Sequence, residues 1–155
     1  MPAGSEPVRP VSLPRTWRPF GVRLAGAVLG GGLLVVCAMT WFTFDQETRD
    51  KFTVFQRLTL LAIGVGVFML FHALVRSRVL ATDEHLVVVN GYRRHDYDYA
   101  QVVAVRFPPG APWVTLDLAD GTTVAAMGIQ GSDGSRARQA VRELRTVVED
   151  RSALA

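Results

Sequence analysis

The sequence predicts an α+β chain: a two-helix transmembrane hairpin, then a small antiparallel β-barrel or sandwich capped by a C-terminal α-helix. Three observations predict it. Two long uncharged apolar runs lie close together in the first half of the 155 residues. From residue 76 onward, apolar and charged residues alternate with the period of strands, broken by turn dipeptides about every ten residues. A single amphipathic stripe of helical spacing then closes the chain.

The first run, Leu24 to Phe44, holds twenty-one residues without a charge between Arg23 and Asp45, and about 20 apolar residues in a helix cross a bilayer core. No small-x-small cleavage pattern follows it, so it is read as a retained helix and not as a secretory signal. The second run, Leu58 to Val75, adds eighteen uncharged residues between Arg57 and Arg76. Its flanking arginines can extend it by snorkelling. Lipid offers backbone groups no partners, so both runs are expected as helices despite their glycines. The thirteen residues from Asp45 to Arg57 force the pair antiparallel. Gly26 and Gly30 in the first helix, and Ala62 and Gly66 in the second, are small-xxx-small pairs. They let helix backbones approach, either within one chain or between two copies in a homo-oligomer. His72, near the end of the second run, is expected as a hydrogen-bonded residue at headgroup depth and not as a functional group.

Basic residues at the helix ends set orientation. Arg9, Arg15, Arg18 and Arg23 precede the first helix and Arg76 and Arg78 follow the second, against Arg49, Lys51 and Arg57 in the connector. That bias predicts both termini in the cytoplasm and a two-pass protein of the cell membrane. Trp17, Trp41, Phe42 and Phe44 are expected as interfacial anchors. The organisation is therefore a disordered basic tail over 1–19, the hairpin over 20–75 with helices at 24–44 and 58–75, a domain over 76–151, and a disordered end over 152–155.

The net charge of +3 belongs to the N-terminal tail, because residues 76–155 carry ten arginines against ten acids. A balanced domain speaks against nucleic-acid binding, which calls for a basic face. Cys37 is the single cysteine, so there is no disulfide framework and no thiolate metal cluster. Leu34-Val35-Val36 before it lacks the small residues of a lipoprotein cleavage site.

Within the domain, Leu86-Val87-Val88-Val89 is a β-branched strand, and Asn90-Gly91 after it predicts a type I′ hairpin turn with positive φ at both residues. Tyr92 to Tyr97 is the return strand, with Tyr92, Arg94 and Asp96 on one face and Arg93, His95 and Tyr97 on the other. Gln101 to Phe107 is a further strand, stopped by Pro108-Pro109-Gly110. Trp113 to Leu118 alternates cleanly, and Asp120-Gly121 turns the chain into Thr122 to Met127. Ser132 or Asp133 caps a helix running to about Arg151. Its apolar positions Ala137, Ala140, Val141, Leu144, Val147 and Val148 form one stripe that should seal the open side of the sheet. Only Arg76-Ser77-Arg78 joins the second helix to the first strand, which keeps the domain within roughly 10–15 Å of the lipid.

Short strands closed by one C-terminal amphipathic helix resemble a pleckstrin-homology (PH) domain. With two membrane helices before it, the chain is similar to the bacterial PH-domain family related to low molecular weight protein antigen 6 of high-GC Gram-positive bacteria. The residues carrying the resemblance include Phe55-Gln56-Arg57, Ala73 to Arg78, Val88-Val89-Asn90-Gly91-Tyr92-Arg93-Arg94, Ala100 to Val105, Asp117 to Thr122 and Met127 to Gly134. It covers roughly residues 20–150 and implies a PH-like fold at a membrane, with no established catalytic activity. Inositide-binding PH domains carry a basic cluster in their first turn, whereas Thr82-Asp83-Glu84-His85 here is acidic.

Arg93-Arg94-His95 is the densest basic spot of the domain. With Arg76 and Arg78, Arg93 and Arg94 are the candidate contacts with a lipid headgroup or protein partner, at about 1 kcal/mol per basic residue near an anionic surface. Neighbours on a strand point to opposite faces, so a clamp by both Arg93 and Arg94 on one phosphate is awkward. His95-Asp96 and Asp83-Glu84-His85 lack a third group at catalytic or metal-ligating spacing, so no catalytic residue, metal or cofactor is expected. Met127 to Gly134 lacks the GxxxxGK[ST] pattern and is read as a structural loop, and Trp113 as packing. The functional expectation is a non-enzymatic binding module, anchored at the inner membrane face, that meets membrane lipids or a protein partner. The alternative is a structural subunit of a cell-envelope complex acting through its hairpin.

Overall fold

The computed structural model describes residues 11–154. A short strand β1 (Arg15–Trp17) leads into α1 (Phe20–Thr43), a one-and-a-half-turn helix α2 (Gln46–Lys51) and α3 (Val54–Arg76). Strands β2 (Arg78–Ala81), β3 (His85–Asn90) and β4 (Arg93–Asp98) follow, then β5 (Val102–Arg106), β6 (Trp113–Leu118), β7 (Thr123–Gln130) and the closing helix α4 (Ser135–Ser152).

Both apolar helices are longer than their uncharged runs, because a charge ends an apolar run but not a helix. Neither α1 nor α3 contains a buried residue, and both are long and apolar enough to cross a membrane. Their junction is closed by hydrogen bonds. Asp45 caps α2 by accepting the Thr48 N–H at 3.2 Å. Thr53 and Gln56 form a capping box at the start of α3. Arg49 donates to the Phe44 carbonyl at 2.7 and 2.9 Å, which satisfies a carbonyl that the end of α1 leaves free. The connector is thus a capped helical turn, over which Arg57 stacks on Trp41.

The strands form two antiparallel sheets, ordered β1-β2-β3-β4 and β5-β6-β7, and they do not close into a barrel. Between them lies a core of Val79, Leu86, Val88, Val114 and Leu116, sealed by Leu144 and its neighbours along α4. The predicted stripe of α4 is the buried one: Ala137, Val141, Leu144, Val147 and Val148, with Ala140 partly buried at its edge. The sheets meet where β7 crosses β2. A Cβ at Gly128 would stand 2.5 Å from the backbone of Arg78 and Val79, so only glycine permits that approach.

Two expectations need correction. The hairpin loop is Gly91-Tyr92, because Asn90 pairs with Arg93. Gly91 has φ +61° and no non-glycine residue among the described residues has positive φ, which is the type II′ pattern rather than type I′. The shift by one residue frees the Asn90 side chain, whose amide donates to the Ala125 carbonyl at 2.5 Å and accepts the Met127 N–H at 3.0 Å. Asn90 therefore clasps the second sheet to the first.

The second correction concerns the tail. Residues 1–10 lie outside the described residues, but Arg15–Trp17 is a strand pairing with Ala81–Val79. Trp17 is buried in the core and not an interfacial anchor. Its indole N–H donates to Glu143 at 3.0 Å, beside an Arg15–Glu143 ion pair at 3.1 Å. An aromatic ring that can bury its area against α4 and still satisfy its N–H gains more there than in a tail. At the other end Ser152 is still helical and donates to the Tyr99 carbonyl at 3.0 Å.

Candidate functional site

The domain is fastened to both apolar helices at the same end of the hairpin. Pro19, the residue before α1, has no side-chain acceptor for the first helical N–H groups. Asp133 supplies one from the far end of the chain, accepting Phe20 N–H at 2.9 Å and Gly21 N–H at 2.7 Å. Arg136 stacks over the Phe20 ring, 4.2 Å from its centroid. On the other side the β3–β4 turn leans on α3. The Tyr92 hydroxyl donates to the Met69 carbonyl at 3.2 Å and lies 3.0 Å from His72 Nδ1. A Cβ at Gly91 would stand 3.3 Å from the Ala73 methyl.

Between this turn and α3 a cleft of about 400 Å³ opens. One wall is a stripe of α3, Leu70, Ala73 and Leu74, ending at Ser77. The opposite wall is the β4 face carrying Arg93, His95 and Tyr97, with Val124 and Met127 of β7 as apolar floor. His95 stacks on Tyr97 with ring centroids 6.1 Å apart. Burial first, and the nearby Asp120 charge second, push the Tyr97 phenol above its ordinary range.

The candidate arginines part company here. Arg93 lines the cleft, while Arg94 lies on the opposite face of β4 and pairs with Asp96 at 3.1 Å. Arg76 sits over the Tyr92 ring at 6.0 Å, and Arg78 is built into β2 beside the Gly128 crossing. Arg76, Arg78 and Arg93 make no ion pair among the described residues. Of the small-residue pairs, Gly26 faces α3 so closely that a Cβ would overlap the Phe71 ring, whereas Gly30 and Gly66 have nothing within 4 Å. Ala62 is exposed. His72 has the Tyr92 hydroxyl beside it, a partner from the domain and not from the other helix.

Sequence reasoning missed Asp133 as the cap of α1, Asn90 as the clasp and Glu143 as the seat of Trp17. The expected cap of α4 by Ser132 or Asp133 is not made, since that helix starts after Gly134 without a side-chain cap, and no local signal marks an Asp133 partner 113 residues away.

The profile of the bacterial PH domain matches residues 76–146. Uncharacterized proteins of Mycobacterium bovis and of two strains of Mycobacterium tuberculosis are each 30% identical over 125 residues, covering 81% of this chain and 76% of theirs. No solved structure matches.

Proposed function

The chain belongs to the bacterial PH-domain family, and from that premise we propose that it is a non-enzymatic, two-pass membrane protein presenting a PH-like binding module at the inner face of the cell membrane. The observation carrying this reading is the double attachment of the domain to the helix pair, by Asp133 at the start of α1 and by Tyr92 at the end of α3. A domain held at both helix ends is fixed in height and orientation against the bilayer, so its cleft and unpaired arginines work at headgroup level. The partners in this reading are membrane lipids or a protein docked at that surface.

Support for the membrane also comes from the bare surfaces of α1 and α3. Two helices without one buried residue would leave in water an apolar patch far beyond the few hundred Å² that soluble monomers tolerate. The arginine bias supports the cytoplasmic placement of both termini.

Reporter fusions after Ala155 test it. A fluorescent protein should glow and a periplasm-type phosphatase should stay inactive. Phosphatase activity would put the domain outside and overturn the assignment. Deleting 76–155 should abolish function, and retention of function by the hairpin alone would favour a structural subunit instead.

A further inference from the structure

The inner face of the first sheet changes character along β4. Leu86 and Val88 on β3 are fully buried in the core. Their partners across the ladder are Tyr97 and His95, and the next pair on that face joins Asn90 to Arg93. The apolar part of that face ends with Leu86 and Val88, and the face opens to solvent at β4. Here a guanidinium and an imidazole stand on that face, at the edge strand that no other strand covers. Neither takes part in an ion pair among the described residues. Their outward neighbour Arg94, by contrast, is paired with Asp96. Arg93 and His95 are both exposed at this edge, so their polar ends are free to meet a ligand from the cleft.

The wall opposite them is apolar. Leu70, Ala73 and Leu74 share one face of α3, and Val124 and Met127 complete the lining. Leu70 lies six residues before Arg76, about 9 Å along the helix axis at 1.5 Å per residue. If Arg76 stands among the headgroups, Leu70 is at the depth of the first chain methylenes. The cleft therefore joins a cationic strip to an apolar strip that leads into the bilayer.

We propose that this cleft takes one phosphate-bearing anionic lipid from the adjoining leaflet, with its phosphate against Arg93 and His95 and the start of an acyl chain along Leu70 and Leu74. The proposal rests on the reading of α1 and α3 as membrane-spanning. A guanidinium offers a planar fork of donors that fits phosphate oxygens. A soluble phosphate would satisfy the cationic strip and leave the apolar one wet, whereas a lipid uses both. The space suits a headgroup and the first part of a chain, and lies within the ordinary size of small-molecule sites.

The test uses the full chain in lipid nanodiscs containing phosphatidylglycerol with a photoactivatable group early in one acyl chain, and adducts mapped by peptide mass spectrometry. Adducts are expected on the segments holding Leu70–Leu74 and Val124–Met127. The double variant R93Q/H95Q, altered at exposed positions and checked for folding by circular dichroism, should lose cleft adducts roughly tenfold. A phosphatidylcholine probe should label the cleft equally poorly, and R94Q should label like the parent. Equal labelling of parent and double variant overturns the proposal. So does full competition by soluble glycerol phosphate, which would make the ligand a free phosphate. Adducts near Leu34 and Ile63 in every sample report that the helices are in lipid. With those present, an unlabelled cleft sinks the lipid site alone, and without them the membrane reading falls too.

Discussion

The Asp133 carboxylate caps a helix that begins at Phe20, closing the N-terminus of α1 from 113 residues away at 2.9 Å. A helix start normally finds its cap in the preceding residue, but Pro19 carries no acceptor. D133A should therefore free both the Phe20 and Gly21 N–H groups and cost about 1–2 kcal/mol. Hydrogen exchange should show it: amides from Gly21 to Arg23 exchange roughly tenfold faster, with those of β6 unchanged. Unaltered exchange at Gly21 would show that the cap carries no weight.

Tyr92 is the matching fastener at α3. Y92F keeps the ring under Arg76 and removes only the hydroxyl shared by Met69 and His72. The loss should be about 1 kcal/mol, confined to the turn. The measurement is hydrogen-exchange protection of Gly91 and Tyr92, which should fall. Protection equal to that of the parent would disprove the tether.

Gly128 and Gly64 make an internal comparison. G128A puts a methyl into the backbone of β2 at 2.5 Å, and overpacking of that kind costs about 1–3 kcal/mol or more. G64A meets nothing within 4 Å and should be neutral or slightly favourable to α3. Denaturant titration of the purified chain should separate the two. A G128A midpoint equal to that of the parent would show that β7 can lift away from β2.

Glu143 gives the N-terminal strand a pH dependence. Burial acts to raise its carboxyl, but the Trp17 indole, the Gln139 amide and the Arg15 guanidinium outweigh it and hold the group below the usual glutamate range. A carboxyl depressed in the folded state adds stability above its unfolded value, and that share is lost as pH falls through the folded value. Trp17 fluorescence in a W41F/W113F background should stay constant from neutrality into the ordinary glutamate range and change only below it. E143Q should abolish that acid transition while weakening the strand at neutral pH. A transition of the same amplitude in E143Q would place its origin elsewhere.

Much of this architecture is legible in the sequence because it depends on local patterns. Two uncharged runs give α1 and α3, and the period of two in Trp113 to Leu118 gives β6. The spacing from Ala137 to Val148 gives the buried stripe of α4. The period-two reading also puts Arg93 and His95 together and Arg94 apart. What local pattern cannot supply is the other wall of the cleft, because Leu70, Val124 and Met127 meet β4 only through the packing of separate elements. β1 escaped for the same reason: Arg15-Thr16-Trp17 is too short to show a period, and its stability comes from β2 and Glu143. The turn slipped by one residue because Asn90 is held by β7, and that tertiary pair outweighs the Asn-Gly turn preference.

The place of β1 bears on the order of events during synthesis. Its strand partner lies more than sixty residues downstream and the seat of Trp17 lies on the last helix. The ribosome therefore releases both apolar helices before any partner of β1 exists. The segment ahead of α1 must wait, unpaired, until the domain has been made. Only the completed chain can bring Glu143 to Trp17 and close the sheet. Nascent chains cut anywhere before α4 should leave that segment open to protease, and the last elements made are the ones that lock the first.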